Sequence, residues 1–280
     1  MPFLSTRPAR LVVGIGLVST AIIAYQICLM QILSIVQWHH FASTIIAIAL
    51  LGFGASGTCI ALLRVKLLWH YDSLMPGLMV VCGLSMVLAV FAAQTGPIRF
   101  DSYLLFAEPW QICRLAATCL VYFLPFFLGA LAIGLAFVRH APFIHDLYCA
   151  SLIGSGLGAA LAVILMCCFQ PEALPSLIAI LPLLAGMLIL KGTRMRLIAS
   201  LPLCLALFGV CHPPHLALSD FKDLRRALNL PGASIISARN APLGLLQIVK
   251  APALRYAPGV SLTYQGALPA CPIVYKNGDW

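Results

Sequence analysis

Gly52, Gly54 and Gly57 spell G-x-G-x-x-G, the spacing with which a strand-to-helix turn cradles a dinucleotide pyrophosphate. The motif has that meaning only inside a βαβ unit. Here it closes an uncharged apolar run that starts after His40, and more apolar residues follow it. Small residues in such a run let a second helix approach closely within a bilayer, so Gly52, Gly54 and Gly57 are read as helix-packing residues. Tyr25, Gln26 and Gln31 interrupt the first apolar run; they are candidates for a small intramembrane polar pocket or for hydrogen bonds to a neighbouring helix. His39 and His40 lack a second cluster of ligands and read as interfacial residues, with no metal site assigned. Asp146 opens an apolar run, where a carboxylate complements a helix N-terminus. No nucleophile–base pair stands out, so no catalytic residue and no cofactor-binding residue is assigned to this chain.

The elements that must position these residues follow from composition. The chain has 280 residues, 62% of them hydrophobic and 9% charged, with mean hydropathy +1.01. A soluble domain carries about 25% charged residues, so this is an integral membrane protein whose main partner is the lipid bilayer. The net charge of +9 is spread over short loops, which argues for membrane topology and against nucleic acid. Most of the 11 cysteines lie within apolar runs, without C-x-x-C spacing, and behave as small hydrophobes.

Crossing about 30 Å of hydrocarbon takes roughly 20 apolar residues. Leu11–Val36, Phe41–Leu63, Leu74–Ala93, Leu115–Val138, Leu147–Phe169 and Ala173–Leu190 meet that measure and contain no Asp, Glu, Lys, Arg or His. Leu197–Cys211 is short, carries Pro202 and is marginal. The expected fold is therefore an all-α transmembrane bundle of six or seven helices over residues 1–211, followed by a small β-rich segment over 212–280. Arg7, Arg10, Arg64, Lys66, Arg139, Lys191, Arg194 and Arg196 flank the spans on the side of the N-terminus, against Arg99 and Arg114 in the opposite loops before the tail, which predicts a cytoplasmic N-terminus. Lys222, Arg225 and Arg226 obey the same rule if the tail is also inside.

Ala150, Gly154, Gly158 and Ala162 recur every four residues in the fifth span. This small-xxx-small stripe is expected to pack on the glycines of the second span and to make those two helices central. Pro76 and Pro125 predict kinks. After Pro213-Pro214, Ser219 is the expected N-cap of a helix through Leu228 with Phe221, Leu224 and Leu228 on one face. Ser234–Ala238, Leu245–Lys250, Val260–Tyr264 and Ile273–Tyr275 read as strands. Asn277-Gly278 is a hairpin-turn signal whose second strand does not arrive before Trp280, so the sequence reads as though a following domain has been cut off.

The stretches His40–Gly57 and Tyr148-Cys-Ala-Ser-Leu-Ile-Gly-Ser-Gly-Leu-Gly158 resemble bacterial multi-pass membrane proteins of the spermidine synthase-like family. So do Asn240-Ala-Pro-Leu-Gly244, Ala251–Gly259, Ser261–Gly266 and Asn277-Gly-Asp279. The resemblance implies a bacterial inner-membrane bundle joined to an aminopropyltransferase or methyltransferase domain of Rossmann-like fold. That domain would use S-adenosylmethionine or its decarboxylated form, and residues 212–280 would be its leading segment. Ser151 stands where the family usually has an Asp, and the family's glycine-rich loop and catalytic acids would begin beyond Asp279-Trp280. The function implied is anchoring, with substrate feeding to that catalytic domain as a further role of the bundle; on its own the chain is not expected to be an enzyme. A small transporter or permease-like protein, or an inactive fragment, is the alternative. A cytoplasmic cofactor favours a cytoplasmic tail, which, with the N-terminus also inside, requires that Leu197–Cys211 does not cross.

Overall fold

The computed structural model describes residues 9–250, 261, 263–266 and 272–279. Among these, seven helices build the bundle: α1 (Ala9–Val36), α2 (Thr44–Trp69), α3 (Tyr71–Ala93), α4 (Trp110–Arg139), α5 (Ile144–Cys168), α6 (Leu174–Ile189) and α7 (Thr193–Cys211). A short α8 (Asp223–Leu228) and the strands β1 (Ser234–Ala241), β2 (Gly244–Lys250) and β3 (Ile273–Lys276) follow. The architecture is an all-α bundle with a small antiparallel sheet, ordered β1-β2-β3, at its C-terminal end.

Six helices are long and apolar enough to cross a membrane, and α6 is the shorter one. The sequence ranked these differently, with Ala173–Leu190 a clear span and Leu197–Cys211 a marginal one. Pro175 stands in the first turn of α6 and Leu190 leaves the helix with ψ 129°, which limits α6 to 16 residues. At 1.5 Å per residue that is roughly 24 Å. Arg194 and Arg196 instead join the first turns of α7 and extend it to 19 residues. The short α6 is held inside the bundle, where Gly83 of α3 leaves room for Leu183 and Gly186 faces Val80 of α3.

The centre of the bundle also differs from expectation. More than half of the apolar stretch is buried in α1 (56%), α3 (61%) and α4 (61%), against 28% in α2 and 22% in α5. The two glycine-rich helices are therefore rim helices, not central ones. Their outward faces, with Leu50 and Leu51 on α2 and Leu152 and Ile153 on α5, are exposed and apolar, a surface suited to lipid. The helices run through Pro76 and Pro125 without interruption; the non-helical residue inside a helix is Leu63 in α2 (φ −111°, ψ 17°).

Seven antiparallel passes put the start of α1 and the end of α7 at opposite ends of the bundle. The tail packs where α1 ends: the Ser219 amide donates to the Val36 carbonyl (3.2 Å), and Asn240 Nδ2 donates to the Phe169 carbonyl just past α5 (2.9 Å). The start of α1 and the tail therefore lie at opposite ends of the bundle, not on one side as expected.

The tail itself departs from its sequence pattern in two places. Ser219 does not cap a helix through Leu228. It accepts from the Phe221 amide in a local turn, and α8 begins only at Asp223, so Phe221 stacks on Tyr103 instead of joining Leu224 (centroids 5.5 Å). The strand expected at Val260–Tyr264 lies partly outside the described residues, and Ser261, Thr263 and Tyr264 are not in a strand. At Asn277 and Gly278 both φ angles are positive (54° and 83°), the geometry of a type I′ turn. Lys276 and Asp279 exchange backbone hydrogen bonds of 2.7 and 3.1 Å, so a hairpin rung is formed.

Candidate functional site

The helix-packing residues separate once they are placed. Gly154 and Gly158 of α5 lie against the backbone of α1: a Cβ on either would run into the carbonyl of Gly16 or of Thr20. Ala162, one turn further along, is fully buried, while Ala150 is only half-buried beside Gly16. Between the two helices the hydroxyls of Ser19 and Ser151 share a 2.9 Å hydrogen bond, a neutral cross-helix contact. Gly52 of α2 lies against α4, with a Cβ meeting Phe126 Cβ at 2.8 Å and the Phe127 amide at 2.9 Å. Gly54 and Gly57 have nothing within 4 Å of a built Cβ. The stripe of α5 therefore packs on α1 and not on α2. Gly57 instead lines a cavity of about 330 Å³ between α1, α2, α4 and α5, beside Ser56 and Ser155.

Tyr25, Gln26 and Gln31 do not share a pocket. The Tyr25 hydroxyl, fully buried, donates to the Met86 carbonyl of α3 (3.1 Å) and ties the core together. Gln26 is half-buried with no side-chain hydrogen bond among the described residues. Gln31 belongs to the tail interface: its Nε2 donates to Asn240 Oδ1 (2.6 Å) and to the Ala241 carbonyl (3.0 Å).

That interface is a dense hydrogen-bonded site, and it forms around the last turns of α1. Those turns carry carbonyls with no partner within the helix, which must be met from elsewhere. Lys222, whose side chain is completely buried, donates to the Ser34 carbonyl (3.1 Å), to the Asn277 carbonyl (2.9 Å) and to Asp279 Oδ2 (2.6 Å). All three ammonium donors are thus used, the condition under which a buried lysine is tolerated. Asn277 completes the clamp: its Oδ1 accepts from the Leu245 amide (2.8 Å) and its Nδ2 donates to Ser34 Oγ (3.2 Å).

The loop between α3 and α4 closes the other side. Gln37 Nε2 donates to the Phe100 carbonyl (2.6 Å), and its Oε1 accepts from the Ser102 amide (2.9 Å). Arg99 donates to the Leu218 carbonyl (3.0 Å) and Ser219 Oγ to Asp101 Oδ2 (2.8 Å). Trp38, Tyr103 and Phe221 stack in sequence over this junction. Burial, together with the carboxylates of Asp279, Asp223 and Asp101, holds the Tyr103 phenol above its ordinary value of 10.

The arrangement fixes a sheet and a hairpin turn rigidly onto a membrane bundle; among the described residues no group of three metal-ligating side chains converges. In the sequence Lys222 is one tail charge among several and Asn277 a turn signal, so neither points to an interface. The one available signal was a lysine and an asparagine flanking apolar residues in a tail too small to bury them alone. Comparison with protein-family models, curated proteins and solved structures returns no match to this chain.

Proposed function

We propose that the chain is the membrane-embedded portion of a spermidine synthase-like transferase, and that it anchors and orients an S-adenosylmethionine-type catalytic domain extending beyond the sheet. The observation that supports this reading is the Lys276–Asp279 rung, held to α1 through Lys222. A strand continuing from Asp279 would run back along β3, and the clamp would hold it at a fixed attitude to the bilayer. Lys222 and Asn277 would then be the couplers between anchor and enzyme. A cytoplasmic cofactor requires the sheet face to be the cytoplasmic face of a bacterial inner membrane, with the N-terminus outside.

The test is to read the frame past Trp280, express it whole in membranes and assay aminopropyl or methyl transfer. Transfer lost on Lys222→Met with the bundle intact is the expected outcome. A frame without a glycine-rich loop and paired acids overturns the reading.

The loop charges favour a second reading. Before the tail, eight basic residues on the N-terminal face stand against Arg99 and Arg114, a bias that would put the N-terminus in the cytoplasm and the sheet outside, in a transporter or permease-like protein. Against that bias, the tail adds Lys222, Arg225, Arg226, Arg239, Lys250 and Lys276 to the other face. Alkaline phosphatase fused after Trp280 separates the two: activity in intact cells supports the second reading and rejects the first.

A further inference from the structure

The end of the bundle away from the sheet contains a cavity of about 640 Å³. That is the size of sites that enclose a small ligand, about 300–1,000 Å³. It is formed by the start of α1, the first turns of α3, the residue after α4, the end of α6 and the start of α7. All these are helix ends, which in a spanning bundle fall at the depth of lipid headgroups.

Its chemistry is divided in two. The inner wall is apolar, built from Leu11, Met75, Pro76 and Ile189, with Leu11, Met75 and Pro76 buried. The mouth carries three exposed charges, Arg10, Lys191 and Asp72, and among the described residues none of them has an ion pair or a side-chain hydrogen bond. Tyr71 also lines the cavity. The Arg139 guanidinium lies 5.9 Å from the Tyr71 ring and the His140 ring 5.6 Å from it; Tyr71 is 7% exposed, and its hydroxyl has no partner among the described residues. Buried hydroxyls in folded proteins are nearly always paired, so this one marks a missing acceptor or donor. Pro76 has no N–H to offer the Asp72 carbonyl one turn back, so that carbonyl lacks its ordinary helical donor. His140 adds no fixed third cation, because burial and Arg139 hold its imidazole below the ordinary 6.5.

Two cations, one carboxylate, an orphan hydroxyl and an apolar wall form a set. A phosphate satisfies Arg10, Lys191 and the hydroxyl; an ammonium satisfies Asp72 and its carbonyl; an acyl chain covers Leu11, Met75 and Ile189. We propose that this cavity is a binding site for a membrane lipid whose headgroup carries both a phosphate and an ammonium group. A free phosphoethanolamine shares the headgroup chemistry but leaves the apolar wall bare.

The test uses the full chain purified in detergent, with bound lipid read by native mass spectrometry. The probes are a phosphatidylethanolamine, a phosphatidylglycerol and a diacylglycerol of identical chains, together with free phosphoethanolamine. Phosphatidylethanolamine is retained about ten-fold better than diacylglycerol, and the Arg10→Gln/Lys191→Gln double variant loses that advantage, as removal of charge-assisted hydrogen bonds requires. Lys191→Arg keeps it. Asp72→Asn removes the preference for phosphatidylethanolamine over phosphatidylglycerol. Tyr71→Phe weakens retention without lowering the chain's thermal stability, since the hydroxyl has no partner to lose in the empty site. Equal retention of diacylglycerol, or a double variant that binds like the parent, overturns the proposal. So does free phosphoethanolamine competing as well as the lipid, which makes the site one for a soluble metabolite. Binding that appears only after removal of residues 1–8 assigns the cavity to the chain's own N-terminal segment and also overturns it.

Discussion

Two stretches of this chain have nearly the same composition and opposite fates. His40–Gly57 on α2 and Tyr148–Gly158 on α5 are both apolar and dense in glycine, alanine and serine. On α5 the small residues recur every fourth position, so Gly154 and Gly158 lie about 40° apart around the helix axis and present one groove. On α2 the spacings are two and three, which sets Gly54 and Gly57 about 200° and 140° away from Gly52. The first pattern admits the backbone of α1; the second admits α4 at Gly52 alone and leaves Gly54 and Gly57 without a neighbour. Glycine content does not make a helix interface. Glycine in phase with the helix does.

The comparison can be broken by substitution, and the largest effect belongs to α5. Gly158→Leu puts a side chain where the Thr20 carbonyl lies, and is expected to cost about 3 kcal/mol or to prevent α5 docking, read by unfolding in mild detergent. Gly52→Leu, against Phe126 and the Phe127 amide, is expected to cost about 2 kcal/mol by the same measurement. Ser151→Ala removes the cross-helix hydrogen bond to Ser19 and is expected to cost about 0.6 kcal/mol. Gly57→Leu is expected to change stability by less than about 0.5 kcal/mol, because it extends into open space. A Gly57→Leu chain that unfolds as readily as the Gly158→Leu chain would refute the phase argument outright.

The same phase argument explains how much could be read from the residues. The α5 stripe was legible because its period matched the helix, but its partner was not: a groove specifies close approach, and either α1 or α2 could have supplied a backbone. Tyr25, Gln26 and Gln31 show a related limit. They lie within seven residues of one another, yet Tyr25 turns to α3 and Gln31 to the tail, since a helix distributes near neighbours over its circumference. Lys222 was legible as a charge and not as a clamp, because its three acceptors come from Ser34, Asn277 and Asp279, remote in sequence.

What the sequence determined by itself is the membrane class, the existence and approximate limits of the long helices, and the turn at Asn277-Gly278. These depend on local quantities: the length of an apolar run, the scarcity of charge within it, and the tolerance of Asn and Gly for positive φ. The packed fold was needed to show that α1, α3 and α4 are the centre, that α7 is long enough to cross while α6 is the short helix, and that the sheet sits opposite the start of α1. Those outcomes depend on which surfaces meet. Apolar helices offer lipid and one another much the same attraction, so the choice falls to close backbone approach and to buried hydrogen bonds between distant residues.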